Sequence, residues 1–129
     1  MILYIETSAA AKLLVDGPAS SRLAARLDGA VDQDDPLLSS MILETELRRL
    51  AVRVDLAQAA VTHLLERLDL METDRSLYRE AGLLPGRHLR SLDGLHLAAA
   101  LRVGADVMVT YDRQQADAAD AAGLPVLAP

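Results

Sequence analysis

Short continuous apolar runs alternate along the chain with stretches in which apolar residues recur every three or four positions. "MILYI" at the start is an unbroken apolar run of strand length, and "TSAAAKLLV" after it offers hydroxyl caps, Thr7 or Ser8, followed by strong helix formers. "SSRLAARLDG" sets Leu23, Ala24 and Leu27 on one helical face and predicts a stop at Gly29, with "DQDDP" as a loop and "LLSS" as a second strand. "MILETELRRLAVRV" carries Leu43, Leu47, Leu50 and Val54 at helical spacing, and "LAQAAVTHLLERL" continues with Leu56, Ala60, Leu64 and Leu68. "LMET" is a weaker strand. It leads into the helix "DRSLYREAGLL", which ends before Pro85 and Gly86. "SLDGLHLAAALRVGA" is helical and apolar nearly all round. "DVMVT" is a strand, "RQQADAADAAG" a helix with a glycine stop, and "PVLA" a last strand.

Strand and helix in turn predict an α/β fold with a mainly parallel sheet and helices on both faces, because parallel neighbours need crossover connections. In such sheets ligands bind beyond the carboxyl ends of the strands, near the switch in strand order. Glu6, at the end of the first strand, has that address. Asp112, just past "VMVTY", has it on a later strand.

Each acid also has a plain structural role open to it. Asp112, after a strand and before a helix, is placed to be an N-cap. Glu46 lies roughly 60° from the Leu43 stripe at ~100° per residue, at the edge of the core, whereas Glu44 falls on the solvated side. Beside Arg49 and Arg53, Glu46 could be half of a structural ion pair. Asp93 opens its helix behind a Ser91 cap, where the helix dipole favours an acid. Its face continues into Leu97 and Ala100, so a carboxylate there needs a partner, which His96 could supply. A single His among Leu and Ala is more usually a packed core residue. His63 and His88 are scattered and give no zinc spacing.

Composition sharpens the picture. With 129 residues, 51% hydrophobic, the chain predicts a single domain over residues 1–129 with a substantial core. It has no cysteine, hence no thiolate site, and no apolar run near the ~20 residues of a membrane span. A cytoplasmic protein is expected. The net charge of −6 and three tyrosines as the only aromatics argue against broad electrostatic or stacking attachment to nucleic acid. Four carboxylates directed to one edge, with no lysine or cysteine among them, would repel one another, and a divalent cation relieves that. Oxygen-only ligands suit Mg²⁺ or Mn²⁺, which also bind phosphates. A metal bridge lets an acidic protein meet a phosphate backbone locally.

The segments "YIETSA", "SSMILETELRRL", "RSLDGLHLAAALRVGA" and "VMVTYDRQQADAADAAGLPVL", in that order, resemble the successive signatures of PIN-domain proteins of the VapC toxin type. The resemblance covers the whole chain. It implies a three-layer α/β/α PIN-like domain with a metal-dependent endoribonuclease activity on structured RNA such as tRNA or rRNA. It further implies a homodimer and a small VapB-type antitoxin that holds the nuclease inactive. The family's acids match Glu6, Glu46, Asp93 and Asp112 as catalytic and metal-binding positions, and Ser8 and Thr110 match its supporting hydroxyls. Asp117, one turn into the last helix, is either a further acid near the site or an exposed one. The family usually carries Asp where this chain has Glu6.

Basic residues are twelve arginines and one lysine. Arg87, His88 and Arg90, in the loop leading to Asp93, are candidates for RNA contact or simply a solvated charged loop; arginine suits bidentate phosphate binding. Arg48, Arg49 and Arg53 could bind RNA, pair with acids or meet an antitoxin. Two rival classes share the pattern. A receiver-like signalling domain needs a lysine late in the sheet, and Lys12 is early. A PIN fold that binds RNA or a partner without cutting would have Glu6 as its cause. Hydrolysis of small phosphate esters lacks a nucleophile or phosphate loop here.

Overall fold

A computed structural model describes residues 1–129. In chain order the elements are β1 (Leu3–Ile5), α1 (Thr7–Leu14), α2 (Ser20–Asp32), β2 (Leu37–Ser40), α3 (Ile42–Arg53), α4 (Gln58–Glu66), β3 (Asp69–Met71), α5 (Arg75–Leu83), α6 (Ser91–Arg102), β4 (Val107–Val109), α7 (Arg113–Ala121) and β5 (Val126–Leu127). The five strands form one sheet in the order β3-β2-β1-β4-β5, and every pair is parallel.

Three layers follow from the two-residue period of the central strands. Leu3 and Ile5 of β1 and Val107 and Val109 of β4 point to one face, where Ala9, Leu23, Leu43, Leu47 and Val61 from α1 to α4 cover them. Tyr4 and Met108, between them in sequence, point to the other face and meet Leu77, Leu97 and Ala119 from α5, α6 and α7. Leu3, Tyr4 and Ile5 are all fully buried, and each contributes roughly 1.5–3 kcal/mol by its removal from water. This is why the first strand reads as a continuous apolar run: both of its faces are covered.

Some boundaries differ from expectation. Helix α2 does not stop at Gly29 but runs to Asp32, because Ala30 prolongs the buried face of Leu23 and Leu27 by another turn. The chain turns instead at Asp34, whose φ is 58°, a conformation aspartate tolerates. Helix α3 ends at Arg53, so Val54 is half exposed and off the stripe. The glycine stop after α7 is present: Gly123 has φ 80°, and Leu124 N–H closes on the Ala119 carbonyl at 2.9 Å. No helix is long and apolar enough to cross a membrane.

The sheet order fixes where a site can form. From β1 the chain moves outward to β2 and β3 on one side, and β4 and β5 fill the other. The carboxyl ends of β1 and β4 are therefore neighbours at the point of reversal, joined by the Glu6 N–H to the Val109 carbonyl at 3.1 Å.

Candidate active site

At the end of β1, Glu6 is itself the N-cap of α1, its carboxylate accepting the backbone N–H of Ser8. Neither Thr7 nor Ser8 caps this helix, contrary to expectation. The longer glutamate side chain folds back over the first turn, which frees both hydroxyls for other work. Thr110 donates to the second Glu6 oxygen at 3.2 Å. Ser8 Oγ lies 3.1 Å from Thr110 Oγ1 and accepts the Tyr111 N–H at 2.8 Å, and Thr110 Oγ1 accepts the Asp112 N–H at 3.1 Å. Ser8 and Thr110 thus stitch the end of β1 to the end of β4 around the Glu6 carboxylate. Glu6 is buried, and burial pushes its carboxyl above the ordinary range despite the bonds from Ser8 and Thr110.

Glu46, in the second turn of α3, makes no ion pair with Arg49 or Arg53. Its Oε1 accepts the Thr7 hydroxyl at 2.7 Å and lies 2.7 Å from Nε2 of His96. Burial works against its charge, but His96 and Thr7 prevail and hold its carboxyl below the usual range. His96 is indeed buried, and it serves Glu46 and not Asp93: its Nδ1 is 2.8 Å from the Tyr4 hydroxyl, with the two rings edge to face. Burial keeps the Tyr4 phenol protonated well beyond neutral pH. Glu44 pairs with Arg48 at 3.0 Å, half exposed.

Asp93 lies in the first turn of α6, half-buried. The residue before the helix is Arg90, with no side-chain cap, and Ser91 is the first helical residue, so the expected Ser91 cap does not form. The Asp93 carboxylate receives no hydrogen bond. Burial, then the nearby charge of Asp112, pushes its carboxyl above the usual range. Asp112 is the N-cap of α7, accepting the Gln115 N–H at 2.9 Å. Gln115 is fully buried, and its side-chain amide donates to the Asp93 carbonyl at 3.1 Å, so one residue ties the two helix starts together.

Glu6, Glu46, Asp93 and Asp112 all line one cavity of about 980 Å³, together with Ser8, Thr7, His96, Arg49 and Arg53. The carboxylates share the cavity without converging: no three acidic or histidine groups stand close enough to share an ion. Their hydrogen bonds explain this, since Glu6 is turned to its helix cap, Glu46 to Thr7 and His96, and one Asp112 oxygen to Gln115. The donor set nevertheless fits a hard divalent cation in kind. It is all oxygen, it includes the mutually repelling Asp93 and Asp112, and Lys12 is occupied over the Tyr111 ring. Arg87 and His88 border a second hollow of about 330 Å³ between the α5–α6 loop and α7, which Asp93 also borders. Arg90 reaches across to the Gln114 side chain at 2.8 Å. Asp117 is exposed and belongs to this second hollow.

Three contributors to the site went unnoticed in the sequence: Tyr4, Thr7 as a partner of Glu46, and Gln115. A phenol in an otherwise aliphatic strand and a Gln three residues after a capping Asp were the available signals.

The PIN domain family matches residues 3–121. Ribonuclease VapC46 of Mycobacterium tuberculosis is 36% identical to this chain over 98% of its length and 97% of its own. Among solved structures, Mycobacterium tuberculosis VapC20, described as a sarcin-ricin loop cleaving toxin, superposes with a TM-score of 0.73 at 22% identity, over 98% of this chain and 99% of that one. VapBC2 from Rickettsia felis, bound to a DNA fragment from its promoter, gives 0.74 at 16% identity over 98% of each chain.

Proposed function

The chain belongs to the PIN-domain family, among its VapC-type members, and on that footing we propose that it is a metal-dependent endoribonuclease, the toxin of a VapBC-type pair, cutting structured RNA such as tRNA or rRNA. One observation carries the chemistry: four carboxylates from β1, α3, α6 and the end of β4 line a single cavity at the reversal of strand order.

Asp93 and Asp112 would hold the cation, an oxygen-only pair suited to Mg²⁺ or Mn²⁺, while Glu6 and Glu46 line the same cavity. When bound, such a cation stabilises charge on a phosphate and activates water for phosphodiester hydrolysis. The chain's own residues do the rest. Arg49 and Arg53 offer guanidinium groups to phosphate from one wall of the cavity, Arg87 and His88 border the hollow that Asp93 shares, and Arg90 places a positive charge near the Asp93 carboxyl. Thr7 and His96 occupy one oxygen of Glu46 and leave the other without a protein partner. Ser8 and Thr110 brace the Glu6 end.

A VapB-type antitoxin that presents an arginine to these carboxylates is the expected partner, with a homodimer as the working unit. Family membership sets the receiver-like reading aside. A non-cleaving PIN protein is the second reading, favoured by the Glu6 carboxylate being spent on its own helix cap. Incubating the purified protein with tRNA and rRNA, with Mn²⁺ or with chelator, separates the two: metal-dependent cuts support the nuclease, and intact RNA under both conditions supports the second reading.

A further inference from the structure

Tyr4, His96, Thr7 and Glu46 form a connected polar chain that runs from the covered face of the sheet to the cavity. The Tyr4 hydroxyl and His96 are buried, and the Tyr4 hydroxyl is 2.8 Å from Nδ1. On the opposite side of the imidazole, Nε2 is 2.7 Å from Glu46 Oε1, with Thr7 Oγ1 at 3.0 Å. A carboxylate can only accept, so Nε2 carries the hydrogen that meets Glu46, and in the neutral ring Nδ1 then accepts from the phenol. Both the imidazole and the Thr7 hydroxyl deliver their hydrogens to the same oxygen, Oε1.

We infer that His96 is a positioning residue for the reaction. Tyr4 fixes its ring orientation and tautomer, and His96 with Thr7 then anchors Oε1 of Glu46 so that Oε2 alone serves the cavity. The inference rests on the nuclease reading for its effect on catalysis, but not for the geometry itself. Bonds of this outer kind, behind a carboxylate or imidazole that works at a site, hold the group within the narrow range where it is effective, and losing one commonly costs about 10–100-fold. Tyr4 is fully buried and does not line the cavity, so loss of its hydroxyl should act on turnover and not on substrate binding.

The test uses four variants of the full chain and three readouts. Imidazole ¹⁵N spectra of the wild type should show His96 as the neutral Nε2–H form, and Tyr4→Phe, which keeps the ring and removes only the hydroxyl, should mix the two tautomers. In RNA cleavage, Tyr4→Phe and Thr7→Val should each lower kcat by about 10-fold with KM unchanged. His96→Gln, whose amide nitrogen can replace Nε2 toward Glu46, should retain more turnover than His96→Leu. Melting temperatures identify any variant that fails to fold. A wild-type His96 in the Nδ1–H form, or full kcat in Tyr4→Phe, or equal turnover in His96→Gln and His96→Leu, would overturn the inference. A wild type that shows the Nε2–H form yet cuts no RNA counts against the nuclease reading and supports the orientation of Glu46.

Discussion

The carboxylate of Glu6 accepts the backbone N–H of Ser8, two residues further on, so the acid at the end of the central strand caps the helix that begins next to it. The charge therefore has a structural reason for its position besides a chemical one. An N-cap satisfies one orphan helix donor and meets the positive end of the helix dipole. It also turns the side chain back along α1, and that is one reason the four acids line a cavity without closing on a point.

Substitution at this position separates the two roles. Glu6→Gln keeps an oxygen that accepts from Ser8 but removes a buried charge. It should melt no lower than the parent while cleavage falls by at least about 10-fold. Glu6→Ala loses the cap as well and should cost roughly 1 kcal/mol in stability. Glu6→Asp supplies the family's usual residue, a good cap, and withdraws the carboxylate by ~1.5 Å. It should raise cleavage, by up to roughly 10²-fold. Equal cleavage by Glu6→Gln and the parent would leave Glu6 a cap and nothing more.

The fold works against the charge of Asp93. Burial and Asp112 hold its folded-state pKa above the unfolded value, so the folded state binds the proton more tightly. Its contribution to stability therefore improves as pH falls through the raised value and is complete below the ordinary aspartate range near ~3.9. Asp93→Asn should melt above the parent at neutral pH while losing cleavage. That margin should shrink on acidification. A margin that grows as pH falls would contradict a raised Asp93 carboxyl.

Arg90 stands beside the acids and is held by Gln114. If it contacts a phosphate of single-stranded RNA, Arg90→Ala should weaken binding across sequences and reduce the slope of log affinity against log salt by about 0.7. Fluorescence anisotropy at several salt concentrations, on an Asp93→Asn background to prevent cutting, measures it. An unchanged slope would remove Arg90 from the RNA interface.

Much of this arrangement was legible from the pattern of residues, and the limits have physical causes. The alternation of runs revealed the parallel α/β order, since buried strands and amphipathic helices have different periods. Burial of both faces of Leu3, Tyr4 and Ile5 removed any polar alternation that would mark one face, so the pairing of Tyr4 with His96 could not be foreseen. The acids at the strand ends were legible because the fold leaves such positions open. Their partners were not, because a glutamate that caps a helix and one that holds a metal occupy the same place in a sequence. Gly29 looked like a helix end and is not one, because Ala30 continues the buried face beyond it.

Asp93 and Asp112, in the carboxylate-lined cavity, are proposed to hold a divalent cation that the reaction requires. The most direct measurement is the melting temperature and RNA cleavage of metal-stripped protein as Mn²⁺ is titrated in, with Asp93→Asn alongside. A cation bound by the folded state alone raises stability by mass action, by about 2.7 kcal/mol at 100 times its dissociation constant. Mn²⁺ should raise the melting temperature of the parent, cleavage should appear over the same concentration range, and Asp93→Asn should show neither. Cleavage by the stripped protein in chelator, or the same Mn²⁺ response in Asp93→Asn, would contradict that role of the cation.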